Sequence, residues 1–270
     1  AYLGLFIRLG ASWPVVLHIS AATLATIALG CGHWLRGSAR DCGLPEPVAR
    51  DDNLFADLRE EGPAPPVLVL LAPLLRSRAF WLFAVMNFGL TLIRETFREW
   101  QPTFLFEVTG LDAGHSAWGS MLFPFVGGLA ALFAGRAVDR VGGRHERVLV
   151  PCLVCLVLSL GLLALVSFEG RPGAALLLTS VVAFCLLAPY TMLSGVVPMD
   201  LGGKVGSATT TGLIDCAGYL GGMLAGAGIG SVAQRMGWNG AFGALSMVAL
   251  ATLTAAVVYS LRRGGRRSHG

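Results

Sequence analysis

Four charged side chains, Arg94, Glu95, Arg98 and Glu99, stand in an otherwise apolar run that begins at Phe80. At about 1.5 Å per residue, a helix starting at Phe80 carries Arg94 roughly 20 Å along its axis. A bilayer's hydrocarbon core is only about 30 Å thick. An arginine at its centre costs at least roughly 2.5–3.5 kcal/mol on insertion scales. A charge kept at such depth usually faces a water-filled cavity and marks a substrate or ion path. Its guanidinium can grip a phosphate or a carboxylate through two parallel hydrogen bonds. The chemistry on offer is reversible capture of an anion. Arg94 and Arg98 lie one turn apart on one helix face, as do Glu95 and Glu99. Glu95 can partner Arg94 across the cavity or carry a proton. The competing reading of Arg94 is a structural ion pair with a helix neighbour. For Arg98 and Glu99 it is a reach toward the outer interface, where long side chains snorkel.

Asp215, in Thr209-Thr-Thr-Gly-Leu-Ile-Asp215-Cys-Ala-Gly218, is the second buried charge. It can pair with Arg94 until an anion displaces it, carry a proton, or bond a nearby threonine or backbone group. Asn87 precedes Arg94 by two turns and can line the same cavity. Tyr190, after Pro189, can supply a hydroxyl. The candidate substrate-binding set is therefore Asn87, Arg94, Glu95, Tyr190 and Asp215. His18 stands alone near a span end and reads as a packing or interface residue. Enzyme chemistry has little support, for the chain holds no H-E-x-x-H, no P-loop and no G-x-S-x-G. No cofactor and no metal site are expected. Cys152 and Cys155 form a C-x-x-C, yet within an uncharged run, so they read as small packing residues.

The elements that hold these residues follow from composition. The chain is 54% hydrophobic and 13% charged, against about 25% charged in soluble domains. It lacks the polar residues to cover a globule, so lipid must cover much of it. Tyr2–Gly10 reads as the tail of a helix, and Trp13–Leu35 as a full span. Further spans are expected over 79–106, 116–138, 148–168, 174–199, 207–233 and 239–261. Between 36 and 78 lies a charged, proline-containing linker. Its apolar piece Val67–Leu75 is too short to cross and suits the interface. Basic residues collect in that linker, in the 139–147 loop, at Lys204 and in the tail, while Arg171 and Arg235 lie opposite. The positive-inside rule makes the first group cytoplasmic, the C-terminus included. A net charge of +4 gathered at helix ends fits topology better than nucleic-acid binding.

Two sets of motifs carry a resemblance. Gly135-Arg-Ala-Val-Asp139-Arg140-Val-Gly142-Gly143-Arg144 resembles the G-x-x-x-D-R-x-G-R-[RK] loop of the major facilitator superfamily, with Gly143 where the pattern has Arg. The second set is Asp41-Cys-Gly-Leu-Pro45, Arg94 followed by Trp100-Gln-Pro102-Thr-Phe-Leu105, Gly218-Tyr-Leu-Gly-Gly222 and Gly237-Trp238. In that order they resemble the organophosphate:phosphate antiporter family, which includes the glycerol-3-phosphate and hexose-phosphate transporters.

The resemblance implies an all-α membrane protein: the C-terminal six-helix bundle of that superfamily with the end of helix five, helix six and the central linker. Residues 1–35 would be the remnant of the N-terminal half, 36–78 the cytoplasmic linker, 79–262 helices seven to twelve, and 263–270 a cytoplasmic tail. Because the chain begins at Ala1 inside an apolar segment, it is expected to be a fragment of a longer protein. The implied activity is secondary transport of a small organic anion, a phosphorylated metabolite exchanged for inorganic phosphate, by alternating access. Arg94 matches the C-terminal of two anion-gripping arginines. Gly135, Asp139, Arg140, Gly142 and Arg144 would form a loop that latches one conformation. Alternatives are a transporter-like membrane sensor of sugar phosphates and a general metabolite or drug facilitator. The expected partners are organic phosphate, inorganic phosphate and the lipid bilayer, not nucleic acid. The complete protein is expected to be a monomer in the inner membrane.

Overall fold

The computed structural model describes residues 12–36, 42–43, 53–56 and 65–267. The expected helix tail Tyr2–Gly10, most of the linker and residues 268–270 lie outside these. Two compact units are formed, Ala1–Ala49 and Arg50–Gly270. The first contains helix α1, Trp13–Trp34, with a proline in its first turn, where the missing N–H is harmless. Leu17, Leu24, Ile27 and Leu29 are all exposed, as befits a helix with lipid for solvent. The hydroxyls of Ser20, Thr23 and Thr26 donate to carbonyls four residues back. That satisfies them without water.

The second unit opens with two helices at right angles. α2, Val67–Arg76, meets α3, Arg78–Thr109, at 88°. Ser77 makes the corner in extended conformation, and its Oγ accepts from the Phe80 amide. α3 ends at Gly110, which takes the left-handed conformation at φ 76° that glycine tolerates. Asp112 then caps α4, Ala113–Ser120, which leads after Met121 into α5, Leu122–Arg140. α6, Glu146–Leu165, follows. The rest is nearly unbroken: α7, Pro172–Thr191; a π-helical turn, Met192–Val196; α8, Val197–Leu224; a second π-helical turn, Ala225–Ile229; and α9, Gly230–Arg267.

By length and apolarity four helical stretches can cross a membrane, or five if α2 and α3 make one bent span. One stretch, Pro172–Arg262, is 91 residues long. At about 1.5 Å per residue that is roughly 140 Å, far more than one crossing. Non-helical backbone at Gly203 and Gly237, both with positive φ, cuts it into three. These breaks fall between the expected spans 174–199, 207–233 and 239–261. The expected span 116–138 falls within one membrane-crossing stretch, Ala113–Arg140, that a turn at Met121 divides into α4 and α5; neither π-helical turn is foreshadowed in the sequence.

α3 is the centre of the bundle. It packs against α8, α9 and α7, while α9 packs on α6 and α5 on α7. Met86, Leu90, Ile93, Phe104 and Leu105 of α3 are fully buried. Phe97 stacks on Phe123 at 5.1 Å, and Phe104 meets Phe242 edge-on at 4.9 Å. The α3–α8 contact is made of absent side chains. A Cβ on Gly218 would lie 2.6 Å from Asn87 Nδ2, and one on Gly221 would strike the Phe88 carbonyl. Small residues let membrane helices approach this closely, where hydrophobic burial gives no driving force.

Candidate anion site

Arg94 lies midway along α3 with a quarter of its side chain exposed. Its Nη2 donates to Glu95 Oε1 at 2.5 Å, and Arg98 Nε donates to the other oxygen, Oε2, at 2.5 Å. One carboxylate thus bridges two guanidinium groups, leaving the trio with a formal charge of +1. Glu95 is nearly buried, whereas Arg98 is largely exposed. The Arg94 guanidinium carbon also sits 4.3 Å from the centroid of the Tyr190 ring, in cation–π range. α7 therefore also touches the arginine, through the Tyr190 ring. Arg94 Nε is buried with no hydrogen-bond partner among the described residues. It is a charged donor without an acceptor, which is unfavourable unless a ligand or water supplies one.

The trio borders a cavity of about 780 Å³, within the usual range for small-molecule sites. Arg94, Glu95, Arg98 and Gln101 line it from α3, Ser120 from α4, and Tyr219 and Gly222 from α8. Gly222 is what lets α8 come so near the acid, since a Cβ there would lie 3.3 Å from Glu95 Cγ. Gln101 Nε2 donates to Thr179 Oγ1 of α7 at 3.2 Å. Sequence reasoning passed over Gln101, though it stands two turns after Arg94 on the same face.

Asn87 and Asp215 are placed differently from expectation. Asn87 is buried rather than cavity-lining, and its Nδ2 donates to the Ile214 carbonyl at 2.9 Å and to Asp215 Oδ1 at 3.3 Å. The Asp215–Arg94 pair, one of the readings the sequence left open, is not formed: Arg94 takes Glu95, and Asp215 takes Asn87. The reason is reach. Glu95 is on Arg94's own helix, whereas Asp215 faces α3 about two turns before the arginine. Farther along, Trp100 Nε1 donates at 3.1 Å to the Ala225 carbonyl. That carbonyl opens the π-helical turn, where the wider ring spoils the regular helical ladder.

The loop residues lie at the bundle end that holds the α2–α3 corner. Gly135, Asp139 and Arg140 close α5, and Gly142 and Gly143 both adopt positive φ. Their amides donate to the Asp139 and Val138 carbonyls, ending the helix within one turn. Arg144 follows. Next to it His145, buried, places Nε2 3.2 Å from Asp200 Oδ2 just before the Gly203 break. This tie joins the two turns and was not anticipated. Asn53 and Phe55 dock on the same break: a Cβ on Gly203 would strike Asn53, and one on Gly206 would strike Phe55. Leu54 N donates to the Leu201 carbonyl at 3.0 Å. Among the described residues no group of three or more His, Cys, Asp or Glu side chains could hold a metal ion.

The chain is 26% identical over 237 residues to the glycerol-3-phosphate transporter of Bacillus subtilis, covering 86% of this chain and 52% of that protein. It is 24% identical over 250 residues to the glycerol-3-phosphate transporter of Haemophilus influenzae, covering 85% and 52%. With the glucose-6-phosphate exchanger SLC37A2 of Mus musculus it shares 26% over 193 residues, covering 68% and 37%. The chain thus spans about half the length of the two bacterial relatives. It is a multi-pass membrane protein, all-α by its sequence family. With the Major Facilitator Superfamily profile matching residues 1–226, the chain belongs to that superfamily.

Proposed function

We propose that this chain is the C-terminal half of a secondary transporter that carries a phosphorylated metabolite in exchange for inorganic phosphate. The observation that carries this reading is the Arg94–Glu95–Arg98 trio at the cavity wall. Two guanidinium groups share one carboxylate, so an incoming dianion competes with Glu95 for donors already oriented. Binding the anion cancels the buried charge and lowers the barrier to closing the cavity. The relatives' names, which specify glycerol 3-phosphate and glucose 6-phosphate, support a phosphate ester as cargo.

In this reading 1–35 belongs to the other helical half, 36–78 links the halves, 79–262 is the six-helix bundle and 263–270 is a cytoplasmic tail. Gly135, Asp139, Arg140, Gly142 and Arg144 latch one conformation. The protein acts as a monomer in the inner membrane with a cytoplasmic C-terminus, and it performs transport, not catalysis. Tyr190 positions Arg94, while Asn87 and Asp215 set the α3–α8 contact that aims it.

The test is uptake of labelled glycerol 3-phosphate and labelled phosphate by the complete gene product in proteoliposomes. Wild type should exchange one for the other. Arg94→Gln should lower uptake by roughly 30-fold or more, the equivalent of about 2 kcal/mol of charge-assisted hydrogen bonding. Wild type that moves neither solute would refute the assignment.

A further inference from the structure

A second cavity, of about 950 Å³, lies at the bundle end that holds the α2–α3 corner. Arg76, Arg78 and Arg262 line it, together with His145, Asp200 and Tyr259. Asp200 is engaged with His145. Among the described residues no carboxylate pairs with any of the three arginines. Three positive charges therefore line one hollow in which Asp200 is the single carboxylate among the described lining residues, and no step of the proposed transport uses them.

The corner itself says what reaches this hollow. α2 leaves the bundle at 88° to the membrane-crossing α3, and its residues Val67, Leu68 and Val69 are exposed. An apolar helix at right angles to a span, with its outer face uncovered, is suited to lie in the plane of the bilayer interface. Arg76 and Arg78 flank its end, so the cavity mouth opens at headgroup depth. Basic hollows between helices at that depth take phosphate headgroups, and the planar guanidinium matches phosphate oxygens in pairs.

We propose that Arg76, Arg78 and Arg262 form a second anion site, separate from the Arg94 cavity, that binds a phosphate monoester group, and that its natural source is an anionic lipid headgroup. The site does not rest on the transport reading. It fixes the α2–α3 corner to the end of α9 through a shared ligand, since Arg262 comes from α9.

The test uses the complete gene product in phosphatidylcholine nanodiscs, with phosphatidic acid as the lipid probe and inorganic phosphate as the soluble one. Retained phosphatidic acid is counted by native mass spectrometry. Wild type and Arg94→Gln should retain it equally. The Arg76→Gln/Arg78→Gln/Arg262→Gln protein should retain at least about tenfold less, since each basic side chain near an anionic surface contributes on the order of a few-fold in affinity. Arg262→Gln alone, which leaves the corner intact, should show a smaller loss and guards against misfolding of the triple variant. Phosphatidic acid that resists excess inorganic phosphate identifies the lipid as the source. Displacement by inorganic phosphate identifies a phosphate site open to soluble anions and overturns the lipid assignment alone. Equal retention by wild type and the triple variant overturns the site.

Discussion

Glu95 is the residue on which the behaviour of the candidate site turns. Its two oxygens occupy Arg94 and Arg98, so it stands where a substrate phosphate would. Removing its charge leaves two unshared guanidinium groups. Glu95→Gln should therefore bind inorganic phosphate more tightly, by about tenfold at the effective dielectric of a partly buried pair, and should exchange it more slowly. Calorimetric titration with phosphate and an exchange assay read the two effects; weaker binding would show that Glu95 orients the arginines instead of competing for them. Neighbours at i and i+1 do not normally face each other on a helix. That is why the Arg94–Glu95 pair was not legible with certainty, although the cavity address of Arg94 was, from the cost of its charge. Outside the spans, Asp112 offers a pH prediction. The His115 amide bonded to its carboxylate, then the His115 ring, holds it below the ordinary value of 3.8. Its folded pKa is depressed, so its contribution is present above that ordinary value and fades as pH falls through the lower folded one. The protection of the His115 amide, relative to its intrinsic exchange rate at each pH, should be full at neutral pH and be lost only under acid. In Asp112→Ala it should be low throughout.

Among the elements, the α3–α8 contact carries the tightest constraint. Asn87, Phe88 and Thr91 of α3 fill the places that side chains on Gly218 and Gly221 would need. Gly221→Val should destabilise the protein by roughly 1–3 kcal/mol or more through overpacking, read as a lower midpoint in detergent thermal unfolding. Gly212→Ala, on the same helix but with open space at its Cβ, should leave the midpoint unchanged or slightly higher. The glycine run Gly218–Gly230 announced close packing in the sequence. It did not announce which face of α8 would meet α3, and so the partners of Asp215 stayed open. Asn87 read as a cavity residue because it shares a helix with Arg94. Rotation of α8 decided otherwise, bringing the Ile214 carbonyl to its amide. The π-helical turns had no sequence signal because Met192–Val196 and Ala225–Ile229 are apolar and glycine-containing like their surroundings.

For the whole molecule, the apolar runs determined the all-α class, because a bilayer leaves helices as the way to satisfy the backbone. Where one crossing ends and the next begins depended on single positive-φ glycines, Gly203 and Gly237, among 36 glycines in the chain. The clustering of basic residues makes a further claim on the molecule as a whole. A reporter active only in the cytoplasm, fused after Gly270, should be active, and one active only outside should be silent; the reverse pattern would invert the topology. The α2–α3 corner has one more use. α2 is ten residues long, about 15 Å, and stands out from α3 like the hand of a dial. If α3 turns about its own axis by about 10°, the far end of α2 sweeps roughly 2–3 Å, a motion that a probe on the α3 axis itself would scarcely register. A spin label at exposed Leu68 would read the angle of the helix that carries Arg94.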